Sequence, residues 1–232
     1  MNTMQEISPA IYVLLGCPGS GKGTFAQTIK SEGYDHVSTG DITREEVRNE
    51  TEFGIKYKDA ILNHIIGGIP FEEIQKLVEQ RLEKAVEQKR GIILDGYPKT
   101  IPQCELLDAF VKKRELRDRV VFVLLDVNEE EAINRIQYRQ NCEKCNKIYN
   151  SQFFSSKNLD QCDECHAVLT RRLDDKPEGT RKRVHEFKDK MGSVIEYYDS
   201  SSRLKRIDVN FSPDICREKF FQFHSSQMII KA

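Results

Sequence analysis

Ala10-Ile-Tyr-Val-Leu-Leu15, followed without a break by Gly16-Cys-Pro-Gly19-Ser20-Gly21-Lys22-Gly23-Thr24, is the stretch on which the fold turns. The first six residues form an apolar run without alternation, the pattern of a strand buried on both faces of a parallel sheet. The next seven fit G-x-x-x-x-G-K, and residues 25–30 continue with helix-compatible side chains. Strand, glycine loop and helix open a βαβ unit. Backbone amides of such a loop point inward and cradle phosphate oxygens. Its glycines allow positive φ angles and close approach. Lys22 is placed to reach the β- and γ-phosphates. The generic pattern wants Ser or Thr directly after the lysine; here Gly23 intervenes and Thr24 follows. A turn that is merely glycine-rich would need neither the buried strand before it nor the helix after it. The stretch therefore points to a nucleoside triphosphate site.

Working outward, Gly91-Ile-Ile-Leu-Asp95 and Val120-Val-Phe-Val-Leu-Leu125 are further buried-strand runs, with 204–209 and the short His36-Val-Ser38 as additional candidates. Between them the helical period is clearest over 71–87, where Ile74, Leu77, Val78, Leu82 and Val86 fall on one stripe. Alternating strands and helices predict an α/β fold with a parallel sheet covered on both faces. Two stretches interrupt the rhythm. Residues 40–68 are helical in pattern and hold no strand. Residues 141–175 carry four cysteines and polar turns. Both read as inserts on the α/β core.

The chain has 232 residues, which suits one domain with room for inserts, or at most two. Its 38% hydrophobic and 31% charged residues make a soluble globular mixture. A formal net charge of −1 gives no global field directed at nucleic acid or an anionic membrane. No stretch approaches the ~20 apolar residues of a membrane span. The first ten residues lack the basic start and apolar run of a targeting peptide, so the expectation is cytoplasmic. Seven cysteines in such a chain argue for thiol or metal chemistry rather than a disulfide framework.

Four of those cysteines are spaced Cys142-x-x-Cys145, sixteen residues, then Cys162-x-x-Cys165. This is zinc-ribbon spacing, in which two knuckles each offer two thiolates to one tetrahedral Zn²⁺. A four-cysteine site is closed to water, so its role is structural. Free thiols and an iron–sulfur cluster are the other readings of the spacing. His166 is a weak substitute ligand and reads as surface. Cys17, Cys104 and Cys216 are lone, with Cys17 inside the glycine loop.

The Gly-Lys-Gly-Thr ending of the loop resembles the adenylate kinase family of nucleoside monophosphate kinases. Further stretches follow in that family's order. Ser38-Thr-Gly-Asp41 with Arg44 resembles its monophosphate-binding entry, and Asp95-Gly-Tyr-Pro-Lys-Thr-Ile-Pro-Gln103 its second monophosphate motif. Arg135 and Arg139 resemble the approach to its lid; Arg172-Leu-Asp-Asp175 and Arg181-Lys-Arg183 resemble the lid exit. The resemblance runs from about residue 11 to about residue 220. It implies a P-loop kinase core over 1–39, 69–137 and 176–232, a monophosphate-binding insert over 40–68, and a lid over 138–175. The four cysteines lie where the zinc-bearing members place their metal.

The implied reaction is ATP plus AMP giving two ADP, with Mg²⁺. For ATP the resemblance implies Gly19, Ser20, Gly21, Lys22, Gly23 and Thr24, together with Arg135 and Arg139. It places Ile148, Tyr149 and Phe211 around the adenine. For AMP it implies Thr39, Arg44, Gly96, Tyr97, Pro98, Lys99 and Gln103, the segment Gly68-Ile69-Pro70, and Arg172 and Arg183. Asp95 would hold Mg²⁺ through water. Phosphoryl transfer demands positioning and cations rather than a general base. The catalytic set is accordingly Lys22, Arg135, Arg139, Arg172 and Arg183. Thr39 and Gln103 favour AMP as the acceptor.

Three positions depart from the family pattern. Lys99 replaces the usual arginine, keeping the charge and losing the planar fork. Pro70 sits at the entry to the amphipathic helix. Asp208-Val209-Asn210 lacks the usual glycine after the aspartate. Three readings follow: an adenylate kinase, a monophosphate kinase with altered acceptor choice, or a nucleotide-binding zinc protein without turnover. ATP and AMP are the expected partners, with no nucleic acid and no membrane. A monomer is expected because the family's moving inserts act within one chain.

Overall fold

The computed structural model describes residues 6–7, 11–62, 68–145, 147–171, 175 and 177–230. In chain order, β1 (Glu6–Ile7) precedes β2 (Ile11–Leu15), α1 (Lys22–Thr28), β3 (Tyr34–Ser38), α2 (Thr39–Arg48) and α3 (Glu52–Leu62). Next come α4 (Phe71–Glu87), β4 (Gly91–Asp95), α5 (Ile101–Lys113), β5 (Val120–Asp126) and α6 (Glu129–Gln137). Three short strands follow, β6 (Arg139–Cys142), β7 (Ile148–Asn150) and β8 (Leu169–Thr170). The chain then runs through α7 (Pro177–Ser200), β9 (Leu204–Asp208), α8 (Pro213–Gln227) and β10 (Ile229–Ile230).

Five strands make the central sheet in the order β3-β4-β2-β5-β9, all parallel. The pairs Ile11↔Ile92 and Ile11↔Val120 set the register around the middle strand. Both faces are buried, which is why the apolar runs do not alternate. Ile11, Val13 and Leu15 pack with Leu82, Leu107, Val194 and Tyr198 under α4, α5 and α7. Tyr12 and Leu14 point the other way, into Phe25, Ala26, Cys216 and Phe220 of α1 and α8. Every strand therefore ends on the same rim, where ligands gather in open α/β sheets.

Both inserts rise from that rim. α2 and α3 occupy most of 40–68; residues 63–67 of that expectation lie outside the described residues. Ser38 ends β3 and starts α2, its hydroxyl accepting from the Asp41 amide at 3.3 Å as an N-cap. The second insert is a three-stranded antiparallel sheet, β7-β6-β8, hung between α6 and α7. Its small core is formed by Cys142, Tyr149, Cys162 and Leu169. β1 and β10, which no pattern in the sequence marks, pair antiparallel and bring the two ends of the described chain together.

Candidate active site

The glycine loop leaves β2 and is tied by a Ser20 amide bond to the Cys17 carbonyl, 3.1 Å. Gly19 and Gly21 adopt φ of 83° and 93°, and Gly21 caps α1. The loop lies against α6: a Cβ at Gly19 would sit 2.3 Å from the Ala132 carbonyl oxygen. Lys22 curls back, donating from Nζ to the carbonyls of Gly16 and Cys17 at 2.8 and 3.0 Å. Ser20 Oγ is buried without a hydrogen-bond partner among the described residues. Cys17 packs on Ala132 and Val184, and burial raises its thiol pKa. Its place in the loop is a packing position.

Across the rim stand the ends of β3 and β4. Thr39 Oγ1 donates to the Gly96 carbonyl at 3.0 Å, joining the start of α2 to the β4 turn. Arg44 pairs with Asp41 on the same helix. Asp95, the last residue of β4, lies 3.3 Å from His36 Nε2. Burial pushes the Asp95 carboxyl upward, but Lys22, His36 and Lys99 outweigh it and hold the group below its ordinary range, so it is ionised. Lys99 is lowered, first by desolvation in the cleft, with Lys22 adding and Asp95 opposing. Gln103 accepts from the Lys99 amide at 2.7 Å and shapes the turn. Tyr97 is buried, its hydroxyl on Gln75 and on the Gln103 carbonyl at 3.2 Å.

The glycine loop and the ends of β3 and β4 line one cavity of about 350 Å³. Residues 18–24 form one wall. Thr39, Arg44, Asp95, Gly96 and Lys99 form another. Arg135, Arg139, Arg183 and Ile148 close over them. Arg139 and Arg183 both hold Asp175, Arg139 Nε at 2.8 Å and Arg183 Nη2 at 3.0 Å. The Asp175 side chain is 1% exposed. Arg135 donates to Glu131 and to the carbonyls of Val209 and Phe211 at 2.6 and 2.9 Å. The loop after β9 is closed by Asn210, whose amides both reach Asp208 Oδ1, which accounts for a turn there without glycine. Arg172 lies outside the described residues.

The structure departs from several expected placements. Tyr149 lines the cavity and at the same time turns its hydroxyl onto Cys162 Sγ at 3.4 Å, so that it also belongs to the core of the cysteine insert. Ile148 lines the cavity beside it and reaches the glycine loop: a Cβ on Gly23 would lie 2.6 Å from its Cδ1. Phe211 is partly exposed beneath Lys219, whose Nζ is 3.8 Å from the ring centre. Gly68, Ile69, Pro70, Tyr97, Pro98, Gln103 and Phe211 are not among the residues lining the cavity. Sequence reasoning missed Phe153 and Phe154, which with Pro213 and Phe220 form the apolar end of the cavity. Phe154 is held by the Arg217 guanidinium, 5.0 Å over its ring. His36, whose sequence context marks only a short strand, also lines the cavity.

The four cysteine sulfurs lie within 4.8 Å of one another, with Cys142–Cys165 at 3.2 Å and Cys145–Cys162 at 3.5 Å. A tetrahedral ion with metal–sulfur bonds of about 2.3 Å sets its sulfurs ~3.8 Å apart, so the cluster is the right size for one. Burial works against the Cys162 thiolate. Even so, the Tyr149 hydroxyl and the amides of Cys165 and Glu164 lower its pKa, while the neighbouring Cys145 and Cys165 thiols are pushed up, so without an ion Cys162 is the first of these three thiols to lose its proton. His166 is exposed and outside the cluster.

The family model described as adenylate kinase matches residues 14–203. The adenylate kinase of Thermotoga maritima is 40% identical over 201 residues, 86% of this chain and 90% of that protein. The adenylate kinase of Kosmotoga olearia is 38% identical over 213 residues, 90% and 96% of the two chains. The adenylate kinase of Chlamydia pneumoniae is 32% identical over 210 residues, 90% and 94%.

Proposed function

The chain belongs to the adenylate kinase family, and on that premise we propose that it transfers the terminal phosphoryl group of ATP to AMP, giving two ADP. The observation that carries this reading is the single cavity in which the glycine loop faces Thr39, Arg44 and Lys99 while Arg135, Arg139 and Arg183 close over both. A site for a triphosphate alone has no need of cations on two further sides. In this reading residues 40–68 form the monophosphate insert and 138–175 the lid, on a core of 1–39, 69–137 and 176–232.

The loop amides hold the β- and γ-phosphates. Lys22 moves from the Gly16 and Cys17 carbonyls onto the transferred phosphoryl group, and Arg139 and Arg183, joined by Arg172, bring forks to its oxygens. Arg44 and Lys99 hold the acceptor phosphate. No general base is invoked, because the loose transition state is stabilised by charge and position. Closure of the lid excludes water and strengthens each of those interactions. The ionised Asp95 carboxylate suits a hydrated Mg²⁺ held partly by substrate phosphates, and such an ion would neutralise charge between them. Phe153 and Phe154 offer the donor base an apolar slot. The four cysteines would hold structural Zn²⁺. One chain completes the cavity, so we read the enzyme as a monomer, acting in the cytoplasm.

Lys99, in place of an arginine, keeps open an altered choice of acceptor. Incubation with ATP, Mg²⁺ and each nucleoside monophosphate in turn, with ADP formation followed, decides between the readings. Turnover with AMP alone is the expected result. Preference for another monophosphate would shift the acceptor assignment, and ATP binding without any turnover would overturn the reading.

A further inference from the structure

We propose that Arg48 is a positioning residue that couples the lid to the monophosphate insert, so that each nucleotide tightens the binding of the other. The inference rests on the reading of the two inserts given above. Arg48 is the last residue of α2, and its Nη1 donates to the carbonyl of Glu143 at 2.8 Å. That carbonyl lies between Cys142 and Cys145, inside the first cysteine knuckle.

The knuckle holds its carbonyl firmly. The Cys142 amide donates to the Lys147 carbonyl at 2.9 Å, and Glu143 Oε1 accepts from Thr170 Oγ1 at 3.0 Å, locking the knuckle to β8. The other partner is equally fixed. Thr39 and Arg44 on the cavity wall belong to the same ten-residue helix as Arg48, about 15 Å of rigid rod. Displacement of one end of α2 therefore displaces the other. On its remaining side the lid touches the donor loop through Ile148 at Gly23.

Arg48 and Glu143 sit on different inserts, so their hydrogen bond exists only when both inserts are apposed. A contact of that kind adds nothing to binding of either nucleotide alone and favours the doubly occupied state. By linkage, ATP then raises AMP affinity by the same factor as AMP raises that of ATP. The acceptor is a carbonyl, so the recognition is of a directed N–H donor, which lysine reproduces in part and alanine does not.

The test uses the full chain and calorimetric titration with AMP, in the absence and presence of saturating Mg²⁺ with a non-hydrolysable ATP analogue. In the unmodified protein the analogue should tighten AMP binding about fivefold. Arg48→Ala should bring that ratio close to one while leaving AMP affinity without the analogue unchanged, and Arg48→Lys should keep part of it. Stripping the lid metal with a chelator should lower the ratio in the unmodified protein and leave the Arg48→Ala ratio where it was. An Arg48→Ala protein with the unmodified ratio, or a ratio of one in the unmodified protein, overturns the coupling. Failure of AMP to bind the unmodified protein overturns the functional reading itself, a separate outcome.

Discussion

Lys99 stands in the cavity with one compact charge where a guanidinium would offer a fork. Lys99→Arg should lower the KM for AMP about tenfold, or ~1.4 kcal/mol, in steady-state assays at saturating ATP. Asp175 is the opposite case, a nearly fully buried carboxylate gripped by Arg139 and Arg183. Breaking such a group removes the partner of two part-buried cations. Asp175→Ala should destabilise the fold by about 3 kcal/mol, with Asp175→Asn between it and the parent in a denaturant titration. Single positions were unevenly legible from sequence. Lys22, Thr39, Arg44, Asp95, Arg135, Arg139 and Arg183 could be named because charge and motif order mark them. Phe153 and Phe154 could not, since two aromatics in a polar insert look like any surface pair until the insert is folded over α8. Tyr149 shows the converse: its motif position places it at the cavity without revealing that its hydroxyl also bonds the sulfur cluster.

Among the elements, the glycine loop and the lid are set by what they touch. Gly19→Ala would thrust a methyl group into the Ala132 backbone at a φ that only glycine adopts easily, so ATP binding measured by titration should be lost. At Gly23 the obstacle is the flexible tip of Ile148. Gly23→Ala should therefore fold normally and show a reduced kcat, and Ile148→Ala in the same chain should restore much of it. The cysteine insert has two of its four clustered sulfurs among the four buried residues of its core. Chelation should accordingly lower the melting temperature in a calorimetric scan by more than it alters the chemistry in a rate assay. Strands were the most readable elements. The runs at 11–15, 91–95 and 120–125 have no alternation because each strand is covered on both faces. Their order in the sheet was not readable, because it depends on which helix crosses which face.

At the scale of the whole molecule, α8 is anchored beneath the sheet through His224, which is 3% exposed. Its Nδ1 meets the Tyr12 hydroxyl at 2.8 Å, and its ring meets Tyr34 edge-on at 5.4 Å. Burial lowers the His224 pKa below its ordinary 6.5, with Glu32 pulling weakly the other way. Between the lowered value and 6.5 the unfolded chain binds a proton that the folded chain does not. This group's contribution is therefore intact above about pH 6.5 and falls as the pH drops below it. Unfolding free energies measured from pH 5 to 8 should show that decline, and His224→Gln should flatten it.

The cysteine insert, the lid of the proposed reading, hangs from α6 and α7, which lie side by side, with Glu129 paired with His185 at 3.1 Å and with Lys188 at 2.9 Å. Ala132 and Val184 fill the space between them. A cover carried on two adjacent pins has one easy rotation and resists sliding or twisting. Its opening is then a single angle, which one pair of fluorophores, on the lid and on α8, would record in full.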